Sequence, residues 1–509
     1  MMGKKNLTNK LFYSLSLEEL VPGDHIVRAL EKALDLGFVR DLCKEYYSHT
    51  GQPSVDPIVV FKMMIVGYLK GIISERKLAE ECSLNLAYRW YLGYDFDEPT
   101  PHHSVLSKAR SRFGKMVFEN FFNKVLQLCI EGGLVKGEKL FVDGSLVQAN
   151  ASVKSLTPRE DALQIWASPR EYVDKVFEEN PLDDENPEDE EPSEEEKPSE
   201  TQSTSLFQGY EGAVQHRDPP RVLQSSYRKK HKSNIDYMSS TDRESSYVYR
   251  PGKGRLFSYK DHVTVDSHGR VITAVVVTPG AVAEDHMLKE LLNRQPLPVQ
   301  EVCGDSRYGS AYNYALCLRR GIKPSIPKRS SPKKKNLISA EKFQYDADKD
   351  VYICLNGKEL RRLTYEKRTR RWHYRPRSKD CSICSWKPSC CPTTRIRSLV
   401  RPVEQLYIDK AQKWLQTEHA QRSLQQRPQY IEWVFAEAKS LHGLSHMRFR
   451  GLEKTTIQCL MTAAVQNIKR LMKNTRNYMP TATFKMKKSA SLNVFHSRNH
   501  VSAISCFSF

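Results

Sequence analysis

Two short apolar strands in this 509-residue chain each end on a lone carboxylate. Leu140-Phe141-Val142 runs into Asp143 within KLFVDGSLVQAN (139–150), and VQEVCGD (299–305) closes on Asp305. A third acid, Glu432, lies in RPQYIEWVFAEAKSLHGL (427–444), with Lys439 two helical turns further on and so on the same helix face. A strand end is a rigid place from which to aim a carboxylate at a hard, oxygen-seeking cation. Each acid also has a plainer reading. Asp143-Gly144 fits a hairpin turn, Asp305 fits the N-cap of the helix after it, and Glu432 fits a solvated helix carboxylate.

The elements that must position these acids read as α+β, in more than one domain. "DPIVVFKMMIVGYLKGI" places Val59, Met63, Val66 and Leu69 on one helix face. Ser74 is a candidate cap for a helix with Leu78 and Ala79 inward and Arg76 and Lys77 outward. Thr100-Pro101 opens another, bearing Lys108, Arg110 and Arg112. Two short helices and a basic third resemble a helix-turn-helix DNA-binding domain over 11–135; a helical oligomerisation domain fits the same pattern. Downstream, "LFSYKDHVTVD" and "VITAVVVTPG" form a hairpin, followed by helix (283–294), strand, helix (310–321) and strand (323–327). That order builds a mixed sheet flanked by helices over 138–475.

Two insertions interrupt it. Residues 152–250 are polar, expected to be largely disordered, and carry an acidic block (178–200) with thirteen Asp and Glu against one Lys. The formal net charge is nevertheless +19, so the rest of the chain is more basic still. An excess of that size, in clusters, points to a polyanionic partner. Residues 328–420 form a basic β insertion that interleaves Arg with Tyr365, Trp372 and Tyr374, suited to phosphate contact and stacking. Within it, Cys354, Cys381, Cys384 and Cys390 (or Cys391) could build a tetrahedral thiolate site for a structural Zn²⁺; reduced, unliganded thiols are the alternative. The remaining cysteines sit in apolar contexts and read as small core residues. Apolar runs are too short to span a membrane and no signal peptide opens the chain, so a cytoplasmic protein is expected. Residues 476–509 read as a loose tail.

At this point the chain resembles the DDE transposases of bacterial insertion sequences. The matching stretches are "FVDGSLVQANAS", "GDSRYGS", "IEWVFAEAKSLHGLSHMRFRGLEK" and the closing "GLEKTTIQCLMTAAVQNIKRL". The resemblance implies an RNase H-like catalytic core in which Asp143, Asp305 and Glu432 hold Mg²⁺ (or Mn²⁺) as a triad. Two such ions about 4 Å apart activate an attacking oxygen and stabilise the leaving one. It implies Lys439 as a DNA contact near the scissile phosphate; Arg76, Lys108, Arg110, Arg448 and Arg450 are further DNA-binding candidates. Seven and four residues before the Glu, where the family often has Tyr and Arg, stand Gln425 and Pro428, with Arg427 and Tyr430 nearby. The implied function is metal-dependent cleavage and strand transfer at terminal inverted repeats of double-stranded DNA, by at least a homodimer, nucleoid-associated when bound. The alternatives are a catalytically inactive, repurposed DNA-binding protein, and a nuclease that cuts without joining.

Overall fold

Alternation along the first strand sets the architecture. The computed structural model describes residues 14–158, 234–329 and 337–478, apart from 49, 52–53, 235–236, 251, 253 and 367–369. In β1 (Lys139–Gln148), Leu140 and Val142 join one hydrophobic cluster while Phe141 and Val147 join another, because successive side chains point to opposite faces. Strands β4 (Ser246–Arg250), β5 (Gly254–Asp266), β6 (Ile272–Pro279), β7 (Glu301–Cys303) and β8 (Lys323–Ser325) complete a mixed sheet. Its order is β4-β5-β1-β7-β8, with β6 also pairing with β5. β1 is antiparallel to β5 and parallel to β7.

Helices cover both faces. The N-terminal region is helical: α1 (Leu17–Leu20), α2 (Ile26–Ala33), α3 (Phe38–Cys43), α4 (Pro57–Leu69), α5 (Glu75–Leu84), α6 (Leu86–Leu92) and α7 (Ser104–Glu131). These helices share one continuous core with the Phe141 face of the sheet, so position 135 is no break in the packing. From Val60 to Tyr68, α4 is buried at every position except Lys62, not on one face only, as expected of an internal helix. Ser74 caps α5 through the Lys77 amide, as expected. The helix anticipated at Thr100 begins instead at Ser104, and it kinks at Gly114 (φ 61°).

The opposite face packs on α8 (Leu288–Asn293), α9 (Ala311–Arg319) and, beyond two short helices of the insertion, α10 (Ser378–Ser382) and α11 (Lys387–Cys390), on α12 (Gln405–Leu415). The long helices α13 (Glu418–Ser440) and α14 (Leu452–Tyr478) close the chain. α14 is tied to the sheet by Asn467, whose amide exchanges hydrogen bonds of 2.8 and 2.9 Å with the Ile272 backbone. On α13, Ile431, Val434, Phe435 and Ala438 point inward as expected, but Leu441 is exposed, since it lies past the last helical turn.

The insertions are smaller than their composition suggested. β2 (Leu156–Pro158) pairs with β3 (Tyr237–Ser239), and β4 belongs to the main sheet, so ordered structure enters the 152–250 segment from both ends. The acidic block, residues 330–336 and those past 478 lie outside the described residues. The second insertion is an antiparallel sheet of β9 (Gln344–Asp346), β10 (Val351–Ile353), β11 (Glu359–Glu366), β12 (Arg371–Arg375) and β13 (Leu399–Pro402). It ends there rather than at 420, because Ile408 and Ala411 of α12 return to the main core. Among the described residues no helix is long and apolar enough to cross a membrane.

Candidate active site

Asp143 does not end its strand. β1 continues through Gly144 to Gln148, still in register with β5, so neither a hairpin turn nor a turning-away of the backbone accounts for the glycine. Space does. A Cβ at position 144 would lie 3.0 Å from His262 Nδ1 and 3.2 Å from both Glu284 Cγ and Lys260 Cδ. The missing side chain lets Glu284, from the 3₁₀ turn after β6, reach across the strand toward Asp143.

Asp143, Glu284 and Asp305 each offer a carboxylate oxygen within 4.8 Å of the others. Asp305 caps a 3₁₀ turn (Ser306–Tyr308), accepting from the Arg307 amide at 2.9 Å, whereas Ser310 caps the helix that follows; Asp305 is also a member of this group. Bare charges about 4 Å apart repel by roughly 4 kcal/mol in a protein-like dielectric. Three cations offset that repulsion. Arg427 sits 2.8 Å from Asp143, and Glu284 is held by Arg307 at 2.8 Å and by Lys260 at 3.3 Å. Burial raises Asp143 to about 6, opposed by Arg427 and the Gly144 amide and reinforced by the two neighbouring acids.

A divalent cation fits this donor set. The ligands are hard oxygens, and the buried Glu284 Oε2 has no hydrogen-bond partner. Any such ion would meet Arg427 already on Asp143. His262 is not part of the set: its Nε2 is 2.9 Å from Thr278 Oγ1, and burial, with Lys260 beside it, pushes its pKa well below the usual histidine range.

The expected third acid, Glu432, is exposed and lies outside this group; the structure brings Asp143 and Asp305 together with Glu284 instead. The helix that carries Glu432 does cover the Asp143 face. Tyr430 stacks on Phe141 at 4.6 Å, and Lys439, on the same helix flank as Glu432, bonds to Ser145, two residues beyond Asp143. Opposite Ser145, burial raises Asp261 to about 7, offset chiefly by Lys439.

Of the other expected DNA contacts, Arg76, Lys108 and Arg450 are exposed. Arg110 and Arg448 are structural instead. Arg110 is buried, paired with Glu75 and stacked over Phe449, and Arg448 lies over Tyr68 with hydrogen bonds to the Ile72 and His442 carbonyls. Glu284, Lys260 and Arg307 had escaped sequence reasoning. The one available signal was an acidic pair, Glu284-Asp285, opening a helix directly after a buried strand.

Residues 15–112 match the family described as Transposase domain (DUF772), and residues 353–472 match the Transposase DDE domain. The second match includes Arg427, Glu432 and Lys439. No curated protein matches the chain. The cryo-EM structure of a piggyBac transposase synaptic complex with hairpin DNA also matches, at 9% identity over 90% of this chain and 80% of that one. Its TM-score of 0.26 is too low to bear on fold or function.

Proposed function

We propose, from the premise that this chain is a DDE-type DNA transposase, how its residues divide the work. The mixed sheet with β1 between an antiparallel and a parallel neighbour, covered by helices on both faces, supports an RNase H-like core. Asp143 and Asp305 hold the divalent cation, Mg²⁺ or Mn²⁺, and the observation that carries this is their convergence from distant segments. When bound, such ions activate the attacking oxygen and stabilise the leaving one at a phosphodiester.

By family resemblance the third ligand is Glu432, although it lies outside the group of three carboxylates that includes Glu284. It is exposed toward solvent on the flank that Lys439 shares, where a DNA backbone would arrive, and no ion pair among the described residues engages it. Glu284 anchors Lys260 and Arg307 beneath the pair. Lys439 shifts from Ser145 to a phosphate oxygen, and Arg427 leaves Asp143 for the incoming strand, exchanging one anion for another. Arg76, Lys108 and Arg450 supply exposed charge for the duplex of the terminal inverted repeats, which a dimer or larger assembly pairs.

Purified protein incubated with end-sequence DNA and Mg²⁺ or Mn²⁺ tests the scheme. Asp143→Asn, Asp305→Asn and Glu432→Gln each lower cleavage and joining by about a thousandfold or more while end binding persists. Glu284→Gln retains cleavage if Glu432 is the ligand; the reverse pattern moves the third ligand to Glu284. One observation favours the alternative of a DNA-binding protein that does not cut, namely Arg427 seated on Asp143. Binding without any cleavage, in the parent chain and in Arg427→Gln alike, would establish it.

A further inference from the structure

Most of the described cysteines fall into two structural classes. Cys43, Cys82, Cys129, Cys303, Cys317 and Cys459 are at most 1% exposed, in apolar surroundings, as small core residues are. Cys354, Cys381, Cys384 and Cys390 are only half-buried, and all four line one cavity in the insertion. They come from separate places: the turn after β10, the end of α10, the residues just beyond it, and the last position of α11. Cys391, next in sequence, is buried and does not line that cavity, but its thiol is hydrogen-bonded with Cys381 and Cys390, so it stands beside the four rather than among the core thiols.

Backbone donors already point at two of these sulfurs. The Cys354–Lys358 turn, closed by Gly357 N–H on the Cys354 carbonyl at 2.9 Å, directs the Lys358 amide to Cys354 Sγ at 3.4 Å. The Arg397 amide donates to Cys381. The Asn356 side chain reaches Cys384 Sγ at 3.9 Å, joining the turn to the α10 end. Donors placed on sulfur in this way are the outer partners that accompany metal-bound cysteines. The unit also needs a staple, because its own core is only Phe343, Leu360, Tyr374 and Leu399.

We infer that Cys354, Cys381, Cys384 and Cys390 bind one structural Zn²⁺ as a four-thiolate site that holds the insertion together. Four sulfurs at about 2.3 Å from the ion leave no open position, so the site is structural rather than catalytic. Among the described residues only the carboxylate group has three members within 4.8 Å, so the four sulfurs close in on the ion as it binds. The inference stands apart from the reading of the carboxylate site.

Metal analysis of the purified full chain tests it, with cobalt substitution as a second readout. The expected result is about one zinc per chain, and a Co²⁺ derivative with the intense visible bands of a tetrahedral thiolate site. Cys354→Ser, Cys381→Ser, Cys384→Ser and Cys390→Ser each lower zinc content at least tenfold. Cys391→Ser and Asp143→Asn leave it unchanged. A zinc-free parent chain whose cobalt spectrum is weak and octahedral overturns the site whether or not the variants fold. Loss of zinc in Cys391→Ser with retention in Cys390→Ser overturns the ligand assignment.

Discussion

The carboxylate cluster and the cysteine cluster sit in opposite settings. The first is built on the central strand of a six-stranded sheet, over a core that runs from the N-terminal helices to α14. Its acids are balanced by Arg427, Arg307 and Lys260, so the fold around it stands without a metal. The second sits on a five-stranded sheet with three strands of only three or four residues and four fully packed side chains. A catalytic site needs rigid positioning and an ion that can come and go with substrate. A small insertion needs an ion that stays.

The contrast breaks most visibly through packing. Leu360→Ala removes one of four core side chains, at a cost of about 2–5 kcal/mol, more than so small a unit can absorb. We expect proteolysis to speed up within 344–402 while the main thermal transition stays in place. Phe141→Ala, at about 3–5 kcal/mol, instead lowers that main transition as a whole. A single shared transition for both variants would show that the insertion is no separate unit.

Gly144→Ala is a finer probe of the first site. Its methyl group meets Lys260, His262 and Glu284 side chains, all buried, and the crowding costs about 1–3 kcal/mol. Denaturant unfolding of the metal-free protein reads the loss. An unchanged midpoint would mean that the space over Gly144 is not needed.

The smallest effect is on pH dependence. Asp143 is raised to about 6, so the folded protein holds a proton that the unfolded chain has already released. The corresponding stability is fully present below pH 4 or so and is lost as pH rises through about 6. In EDTA the unfolding temperature should fall by roughly a few degrees across that window, and Asp143→Asn should flatten the fall. An identical slope in the variant would assign the effect to another group, with Asp261, raised to about 7, the first to test.

Much of the scaffold was legible in the chain itself. Alternation marked β5, an unbroken apolar run marked β6, and apolar spacing marked α4 and the inward stripe of α13. The Ser74 cap was read correctly because a hydroxyl before a helix has one nearby job, accepting from its first free amides. Segment ends were less legible. The helix expected from Thr100 begins at Ser104, and the cysteine insertion stops before α12 because that helix finds its core partners in α9 and β8, far back in the sequence.

By itself, then, the order of residues determined which segments become strands and helices, and that Asp143 stands within, and Asp305 just after, a short apolar strand. Those properties depend on neighbours two to four positions away. Only the folded structure decided that Gly144 makes room rather than turns, that Glu284 joins the two acids, that Arg427 pairs with Asp143, and that Arg110 and Arg448 are internal braces. Such contacts join segments remote along the chain, and their identity depends on how helices settle on the sheet and where long side chains reach, which no local pattern encodes.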